Sequence, residues 1–221
     1  MAVMKIQKTP SIRRMPTYLH KLVEMQMEGV PFVSTTQLAD YMNLEPIVVR
    51  KDIGITGISG QPGIGYKTDK LIAAIRRFLG WDSVIEACLV GAGSLGSALL
   101  GYDGFENYGL KISTAFDRDT AKIGSYIHGR EIFDYKQLPE LVAQLGLKLG
   151  IICVPAPCAQ AVADQLTDCG IKAIWNFANV SLKLPEDVVV QREVIAGGLA
   201  LLSVKLGQQN SLINAEEKNG N

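Results

Sequence analysis

The stretch VIEACLVGAGSLGSALLGY, residues 84–102, decides the fold of most of the chain. Its mostly apolar start predicts a strand, and G-x-G-x-x-G spacing follows at the start of an apolar helix. In that context the first glycine permits a tight turn, the second lets the backbone approach a pyrophosphate, and the third lets helix and strand pack closely. The motif therefore predicts a Rossmann-type unit with a dinucleotide at Gly91, Ala92, Gly93, Ser94, Leu95 and Gly96.

A second predicted strand, LKISTAF, leads into Asp117, which lies 21 residues beyond Gly96. An acid there accepts hydrogen bonds from the ribose hydroxyls and repels a 2′-phosphate, so it favours NAD(H) over NADP(H). The neighbouring Arg118 weakens that preference without reversing it. A Rossmann-type unit that binds no ligand remains the alternative.

The alternation of strands and helices continues, with predicted strands at 149–155, 171–177 and 187–194 and a helix at 158–169. Their apolar character predicts a doubly wound parallel sheet covered on both faces. Ligands of such sheets bind beyond the carboxyl ends of the strands. The predicted pocket-lining residues at those ends are Val154, Pro155, Asn176, Phe177 and Ala178. Asn176 offers an amide to a carboxamide or ribose, or else it is a turn residue that caps its strand.

The first 80 residues have a different pattern. Pro16 fits only the first turn of a helix, so a helix is predicted from there to Gly29. A run of possible N-cap residues at 34–36 opens a second helix, and Pro46 opens a third, PIVVRKDI, with Arg50 and Lys51 on its outer face. Two short helices joined by a tight turn, the second of them basic, are typical of a helix-turn-helix.

A glycine-rich segment, GITGISGQPGIGY, follows and predicts a short hairpin or wing, before a helix that ends at Gly80. The predicted DNA contacts are Ser34, Thr35, Thr36, Val48, Arg50, Lys51, Tyr66 and Lys67. An arbitrary small helical bundle is the alternative for this segment.

The charge distribution supports an anionic partner for the first part of the chain. The 221 residues carry no net charge, but residues 1–80 have a net charge of +5 and residues 81–221 have −5. Operator double-stranded DNA is the partner expected of a basic helix-turn-helix, which usually binds two half-sites as a dimer. A solvated charge imbalance without consequence is the alternative.

The C-terminal region predicts a buried helix and a tail. The segment LALLSVKL is apolar nearly all round, so its helix has to be buried against its own domain or a partner subunit. The predicted domains are a winged helix at 1–80, a Rossmann-type domain at 81–196, a dimerisation helix at 197–208 and a flexible tail at 209–221.

Other classes of protein are excluded by composition. No apolar run is long enough to span a membrane, and the N-terminus has no apolar core of a secretory signal. The four cysteines form no CxxC pair and there are two histidines, so we expect reduced thiols, a cytoplasmic location and no metal.

Several short motifs, in order along residues 12–206, give a more specific reading. They are RMPTYLHKL (14–22), STTQLADYMNL (34–44), VRKDI (49–53), GxxGxxGxGY ending at Tyr66, VGAGSLGSALLGYDGF (90–105), AFD (115–117), VPA (154–156) and NFA (176–178). The sequence resembles the Rex family of bacterial redox-sensing transcriptional repressors. The resemblance implies a winged-helix domain, an NADH/NAD+-binding Rossmann domain and a homodimer that exchanges its C-terminal helix. It also implies that NADH closes the dimer and releases operator DNA, whereas NAD+ permits repression.

The chain departs from the family pattern at several of these sites. Val48 stands where the family has a glutamine in the DNA-binding region, and Gln61-Pro62 replaces a basic pair in the wing. In the family an acid before the last helix pairs with the helix-1 arginine and with a tyrosine in the cofactor-dependent switch. Here those positions are Val194, Arg14 and Tyr102, so the acid is missing and Arg14 is either a switch residue or a solvated surface arginine.

Two other functions remain open. One is a nucleotide-binding enzyme of dehydrogenase or CoA-ligase type, which usually needs an acid/base near the reacting group. His20 and His128 do not fall at strand ends, which argues against that function. The other is a degenerate paralogue that binds DNA or cofactor but has no redox coupling.

Overall fold

A computed structural model describes residues 8–219, with side chains for residues 8–209. It divides the chain into two compact units, one comprising Met1–Ile85 and Gly104–Lys111 and the other Glu86–Asp103 and Ile112–Asn221. The boundary therefore lies at Ile85 rather than at residue 80, and a later segment returns to the first unit. Residues 1–7 and 220–221 of the predicted domains lie outside the described residues.

The first unit opens with helix α1, Thr9–Met27, which begins well before the predicted start at Pro16. Pro10 occupies the first turn, and Pro16 lies inside the helix, where it removes one backbone hydrogen bond. Met15, Tyr18 and Leu22 are fully buried on one face. Because burial of this face stabilises the helix more than one missing hydrogen bond destabilises it, the helix continues through the proline.

The helix-turn-helix has the predicted form. After β1 (Phe32–Val33), helix α2 spans Thr35–Met42 and α3 spans Pro46–Gly54. Ser34 is the N-cap of α2: its hydroxyl accepts from the Gln37 N–H while the Gln37 side chain accepts from the Ser34 N–H. Asn43, with φ of 51°, ends α2 in the left-handed conformation that an asparagine tolerates.

The wing is more irregular than a hairpin. Strand β2, Tyr66–Lys67, pairs antiparallel with β1, and a single bridge between Gln61 and Gly65 closes the glycine-rich turn. Helix α4, Thr68–Leu79, follows at once and ends at Gly80, where φ is 71°. The core of this unit is formed by residues from all four helices and β1, namely Met15, Tyr18, Leu19, Leu22, Met25, Val33, Leu38, Ala39, Val49, Ile53, Leu71, Ile72 and Ile75.

The segment Gly104–Lys111 is tied to the end of the first unit. The rings of Trp81 and Tyr108 lie 5.0 Å apart, and the Ile85 N–H donates to the Gly109 carbonyl at 2.8 Å. A Cβ on Gly109 would lie 2.7 Å from the Ser83 carbonyl oxygen, so the two segments touch through backbone. These contacts explain why the boundary is not a single point in the sequence.

The remaining elements form the α/β unit. They are β3 (Ile85–Val90), α5 (Ser94–Leu100), β4 (Leu110–Asp117), β5 (Tyr126–Ile127), β6 (Arg130–Asp134), α6 (Leu138–Leu145), β7 (Leu149–Ile152), α7 (Ala156–Asp168), β8 (Ala173–Asn176), β9 (Val189–Arg192) and α8 (Ala196–Asn219). The sheet order is β5-β6-β4-β3-β7-β8-β9. Apart from its β5 edge, this is the strand order of a doubly wound sheet. The order of the strands reverses between β3 and β7, and ligands of such folds bind at that point.

Neighbouring strands run parallel, except for one antiparallel pair at an edge of the sheet. Strands β3 and β7, β4 and β6, β7 and β8, and β8 and β9 pair in parallel, whereas β5 and β6 form an antiparallel hairpin. Sequence analysis did not anticipate this hairpin or α6. The sheet is packed by buried residues such as Val90, Phe116, Ile152 and Leu166. The chain thus has the α/β fold that was predicted.

Helix α8 is longer than predicted, and no other part of residues 8–209 covers it. It runs to Asn219, so residues 209–219 continue the helix instead of forming a separate tail. Every residue from 194 to 209 is exposed, including Leu199, Leu202 and Leu206. Among residues 8–219, no helix is long and apolar enough to cross a membrane.

Candidate functional site

The three motif glycines play different structural parts, and two of them occupy positions that only glycine suits. Gly91 has φ of +101°, and a Cβ there would lie 2.9 Å from the Cys153 backbone. A Cβ on Gly96 would lie 2.0 Å from the Gly91 carbonyl oxygen, so this glycine lets α5 pack against the turn. A Cβ on Gly93 would meet nothing within 4 Å. The open space at Gly93 is what backbone contact with a ligand requires.

A cavity of about 520 Å³ opens beside this turn, at the carboxyl ends of β3, β4 and β7. It is lined by Val90, Gly91, Gly93, Asp117, Arg118, Lys122, Tyr135, Cys153, Val154, Pro155, Pro157, Cys158, Ala161 and Val162. The wall is mostly apolar, and charged groups are gathered at Asp117. Such a cleft has the size and composition of a cofactor site.

Asp117 connects the glycine turn to the loop after β4. Its Oδ2 accepts hydrogen bonds from the Ala92 N–H at 2.9 Å and from Lys122 Nζ at 3.2 Å. Its Oδ1 accepts from the N–H groups of Arg118 at 2.8 Å and Asp119 at 3.0 Å. Burial alone would raise the pKa of this carboxyl, but these donors together hold the pKa of Asp117 below its ordinary value. The group is therefore an anion at neutral pH.

Some of the predicted cofactor residues line this cavity and others do not. Those in its wall are Gly91, Gly93, Asp117, Arg118, Val154 and Pro155. Those elsewhere are Ala92, Ser94, Leu95, Gly96, Tyr102, Asn176, Phe177 and Ala178. For this second group, contact with a bound cofactor stays a prediction.

The side chain of Asn176 is engaged in its own loop. Its amide nitrogen donates to the Val180 carbonyl at 3.0 Å, and its Oδ1 accepts from the Ala178 N–H at 2.9 Å. The residue is fully buried. Both polar atoms are thus used to hold the turn after β8, which matches the turn-residue alternative. Its neighbour Phe177 packs on Trp175, with ring centroids 4.8 Å apart.

Sequence analysis missed the part of the wall that α7 and the segments after β4 and β6 contribute. Pro157, Cys158, Ala161 and Val162 share one face of α7 at helical spacing, a signal visible in the sequence once the helix start is placed at Ala156 rather than 158. Cys153 follows β7, and its burial raises the pKa of the thiol to about 12, so it is neutral. Lys122 and Tyr135 come from segments without a motif.

A second cleft lies in the first unit, between the start of α2, α3 and the wing. It measures about 420 Å³ and is lined by Ser34, Thr35, Arg50, Gly60, Gln61, Pro62, Gly63, Ile64, Gly65 and Tyr66. Four of the predicted DNA contacts therefore meet there: Ser34, Thr35, Arg50 and Tyr66. Thr36, Lys51 and Lys67 are exposed outside its wall, and Val48 is half-buried on α3.

Two wing glycines bring the wing close to β1 and to Tyr66. Gly65 has φ of +105°, and a Cβ there would lie 2.3 Å from the Val33 carbonyl oxygen. A Cβ on Gly60 would lie 3.1 Å from the ring of Tyr66. The glycine spacing thus holds the wing against the start of α2, where the predicted DNA contacts lie.

Arg14 is not a solvated surface arginine, because it is paired within the first unit. Its Nε and a terminal nitrogen donate to the two oxygens of Asp52, at 2.6 and 2.8 Å, and the Tyr18 hydroxyl donates to Asp52 Oδ2 at 2.8 Å. Burial would raise the pKa of Asp52, yet the hydrogen bonds from Arg14, Ser11 and Tyr18 hold the pKa below its ordinary value. No sequence pattern predicts this pair, because its members are 38 residues apart.

The remaining candidates lie away from both clefts. Val194 is 47% exposed and Tyr102 is also exposed. The imidazole of His128 lies over Gly101, where a Cβ would be 2.7 Å from the ring. Among the described residues, neither His20 nor His128 lines the 520 Å³ cavity, and no three His, Cys, Asp or Glu side chains are grouped to hold a metal.

Comparison with known proteins agrees with this division of the chain. Residues 9–53 match the model of a putative DNA-binding protein N-terminus, and residues 82–180 match that of a CoA binding domain. The redox-sensing transcriptional repressor Rex of Treponema denticola is 44% identical over 93% of this chain and 98% of its own length. The chain belongs to the Rex family.

Rex proteins from other bacteria and solved structures extend the comparison. The Rex of Bacteroides thetaiotaomicron is 36% identical over 89% of this chain and 90% of its own. The Rex-family repressor RSP, solved with beta-NAD+ and operator DNA, matches with a TM-score of 0.84 and 31% identity over 96% of this chain and 98% of its own. RSP solved with beta-NADH matches with a TM-score of 0.85 and 29% identity, over 96% and 99%.

Proposed function

We propose that this Rex-family protein is a redox-sensing transcriptional repressor that binds operator DNA as a dimer and is released from it by NADH. The observation that carries the proposal is the glycine turn beside Asp117. There Gly93 opens onto a cavity while Gly91 and Gly96 are closed by backbone. This site lies on the same chain as a helix-turn-helix with exposed cations.

The residues of the cavity fit a nicotinamide adenine dinucleotide. Open space at Gly93 admits a pyrophosphate, and the Asp117 carboxylate accepts hydrogen bonds from ribose hydroxyls. Val154 and Pro155 supply an apolar wall. The cofactor supplies a nicotinamide ring that is cationic when oxidised and neutral when reduced, so the two forms differ in charge at one place. A preference for NAD(H) over NADP(H) follows from the anionic Asp117.

The basic helix α3 and the wing form the proposed DNA surface. Arg50 and Lys51 are exposed on α3 and would neutralise phosphates or contact base edges. Ser34 and Thr35, at the start of α2, line the same cleft as Arg50 and offer hydroxyl groups. The exposed Lys67, at the end of the wing, would add a contact to the phosphate backbone of the DNA. Specificity would come from the few outward residues of α3.

The proposed dimer rests on α8. Its leucines through Leu206, and Val204, are exposed, and nothing in the described part of the chain covers them. An apolar helix of this kind is stable only when it is buried. Exchange of this helix with a second copy would bury it. A helix-turn-helix dimer also presents two reading helices to two half-sites.

The redox coupling is proposed to be weaker than in typical relatives. Val194 cannot form a side-chain hydrogen bond, and Arg14 is held by Asp52. The charge of the nicotinamide ring and packing around Phe177 and Tyr102 would still distinguish NADH from NAD+. We therefore expect NADH to release DNA, with less antagonism by NAD+.

An enzyme of dehydrogenase or CoA-ligase type is not favoured. The relatives are named as transcriptional repressors, and neither histidine lines the cavity among the described residues. A repressor acting on chromosomal DNA works in the cytoplasm of a bacterium, which is the location we propose.

The deciding experiment is an operator gel-shift at one salt concentration, without nucleotide, with NAD+ and with NADH. We expect binding without nucleotide and with NAD+, and release by NADH. Absence of DNA binding under all three conditions would refute the repressor function. DNA binding that NADH leaves unchanged would point to the paralogue without redox coupling.

A further inference from the structure

The carboxylate of Asp117 already accepts four hydrogen bonds within the protein. Three come from backbone N–H groups of Ala92, Arg118 and Asp119, which the fold holds in place. The fourth comes from Lys122 Nζ. Because an ionised carboxylate has about four lone-pair positions, a ribose hydroxyl has to take the place of one of these donors. Lys122 is the only side chain among the four.

Lys122 has a second acid within reach. Its Nζ lies 3.2 Å from Asp117 Oδ2 and 3.9 Å from Asp119 Oδ2, and its side chain is 35% exposed. A lysine has three donors on a flexible stem, so Lys122 can transfer from one carboxylate to the other without backbone movement. Arg118, which is exposed, lines the same cavity.

We propose that Lys122 is a specificity-determining residue of the nucleotide pocket. Together with Arg118 it forms a cationic subsite for a 2′-phosphate on adenosine, and so limits the preference for NAD(H) over NADP(H) that Asp117 sets. This inference rests on the proposed function. When a 2′-hydroxyl donates to Asp117, Lys122 moves to Asp119. When a 2′-phosphate is present, Lys122 remains between the phosphate and Asp117 and screens their repulsion.

The test compares Lys122→Met with wild type by titration calorimetry of NADH, with NADPH measured by displacement of NADH. Methionine keeps the apolar stem but removes the cation. We expect the ratio of the NADPH to the NADH dissociation constant to rise tenfold or more, through weaker NADPH binding. Lys122→Arg keeps the cation and should keep the ratio within threefold of wild type. The matched control is Lys148→Met, which changes an exposed lysine outside the cavity wall and should also keep the ratio within threefold of wild type.

A change at Asp119 should act in the opposite direction. Asp119 Oδ1 also accepts from the Ala121 N–H at 3.0 Å, and Asp119→Asn keeps that acceptor while it removes the charge. Lys122 would then lose its second acid and remain with the phosphate, so NADPH should bind more tightly and the ratio should fall about threefold or more.

The outcomes separate this inference from the proposed function. An unchanged ratio in Lys122→Met, with NADH still bound, would overturn the inference and leave the repressor function intact. Equal weakening of both nucleotides would overturn it as well, because Lys122 would then be a general anchor. A wild-type protein that bound neither nucleotide would overturn the proposed function and this inference with it.

Discussion

Arg14 and Asp52 form a bidentate ion pair that joins α1 to α3, and the Tyr18 hydroxyl donates to the same carboxylate. Asp52 is only 1% exposed, so its charge depends on these partners. The pair sets the position of α3, whose exposed face carries Arg50 and Lys51. Arg14, which the family resemblance implies in a cofactor-dependent switch, thus also contacts the helix-turn-helix through Asp52.

Asp52→Asn should therefore destabilise the first unit. The substitution removes an anion that accepts hydrogen bonds from Arg14, Ser11 and Tyr18 and leaves Arg14 without its charge partner, which for buried pairs costs roughly 3 kcal/mol. Urea denaturation should show the loss as a lower midpoint. Asp187→Asn, which removes an acid from the exposed pair with Lys172, is the control and should leave the midpoint unchanged. A midpoint unchanged in Asp52→Asn would mean that the pair does not support α3.

Acid should weaken the fold through Asp52 and Asp117. Both carboxyls have folded-state pKa values below the ordinary ones. Their contribution to stability is therefore fully present above the unfolded pKa of about 4 and is lost as the pH falls through the folded values. Unfolding midpoints measured from neutral pH to below pH 3 should fall on the acid side. Asp52→Asn should show a flatter acid dependence than wild type, and an equally steep one would contradict the assignment.

Replacing both Arg50 and Lys51 by alanine should weaken operator binding by about 3 kcal/mol or more at low salt, because a charged hydrogen bond contributes about 1.5–3 kcal/mol. The slope of log affinity against log salt should fall by about 2 if each cation contacts one phosphate. Fluorescence anisotropy over a salt series measures both quantities. Lys148→Ala, in the α/β unit, should change neither, whereas an unaltered slope in the double variant would rule out the docking of α3.

Two of the motif glycines should respond differently to alanine. At Gly93 a Cβ has open space, so Gly93→Ala should fold normally but occupy part of the cavity and weaken NADH binding tenfold or more. At Gly96 the Cβ would lie 2.0 Å from a carbonyl oxygen, so Gly96→Ala should lower the melting temperature. Calorimetric titration and thermal melting distinguish the two effects. Equal loss of stability in both variants would show that Gly93 has a structural rather than a ligand-facing role.

Val194→Asp should sharpen the contrast between the two redox states of the cofactor. It introduces an acid at an exposed position before α8, where the family resemblance implies one in the switch. The measurement is the NADH concentration for half-release of operator DNA, with and without excess NAD+. We expect excess NAD+ to raise that concentration more in the variant than in wild type. Identical curves would remove position 194 from the switch.

Local chemistry made much of the molecule predictable from its sequence. The Ser34 cap, the Asn43 turn and the Pro46 helix start are decided by neighbouring residues, and so is the conformation of Gly91. The course of α1 through Pro16 depends instead on burial of a whole helix face, which outweighs one residue's preference. The pair of Arg14 with Asp52 depends on segments that are 38 residues apart and that the fold brings together.

In the pocket, too, some features are set by neighbouring residues and others by the path of the chain. Spacing placed Asp117 at the end of its strand, but it did not show that four donors from the protein already occupy its carboxylate. Asn176 was correctly placed at a strand end, whereas its engagement with Val180 and Ala178 follows from the path of the loop. A residue type at a strand end therefore predicts proximity to a site better than it predicts contact with a ligand.

The uncovered helix α8 has a consequence for how this protein responds to its own abundance. If a second copy buries the helix, the stability of the C-terminal region becomes a property of two chains, and each tenfold dilution lowers it by about 1.4 kcal/mol. Refolding of that region would be second order in protein, and heterodimers with a chain defective in DNA binding would be inactive. Co-expression of such a chain would draw wild-type protein into inactive pairs and interfere with repression, whereas a chain with a defect that abolishes α8 would not interfere.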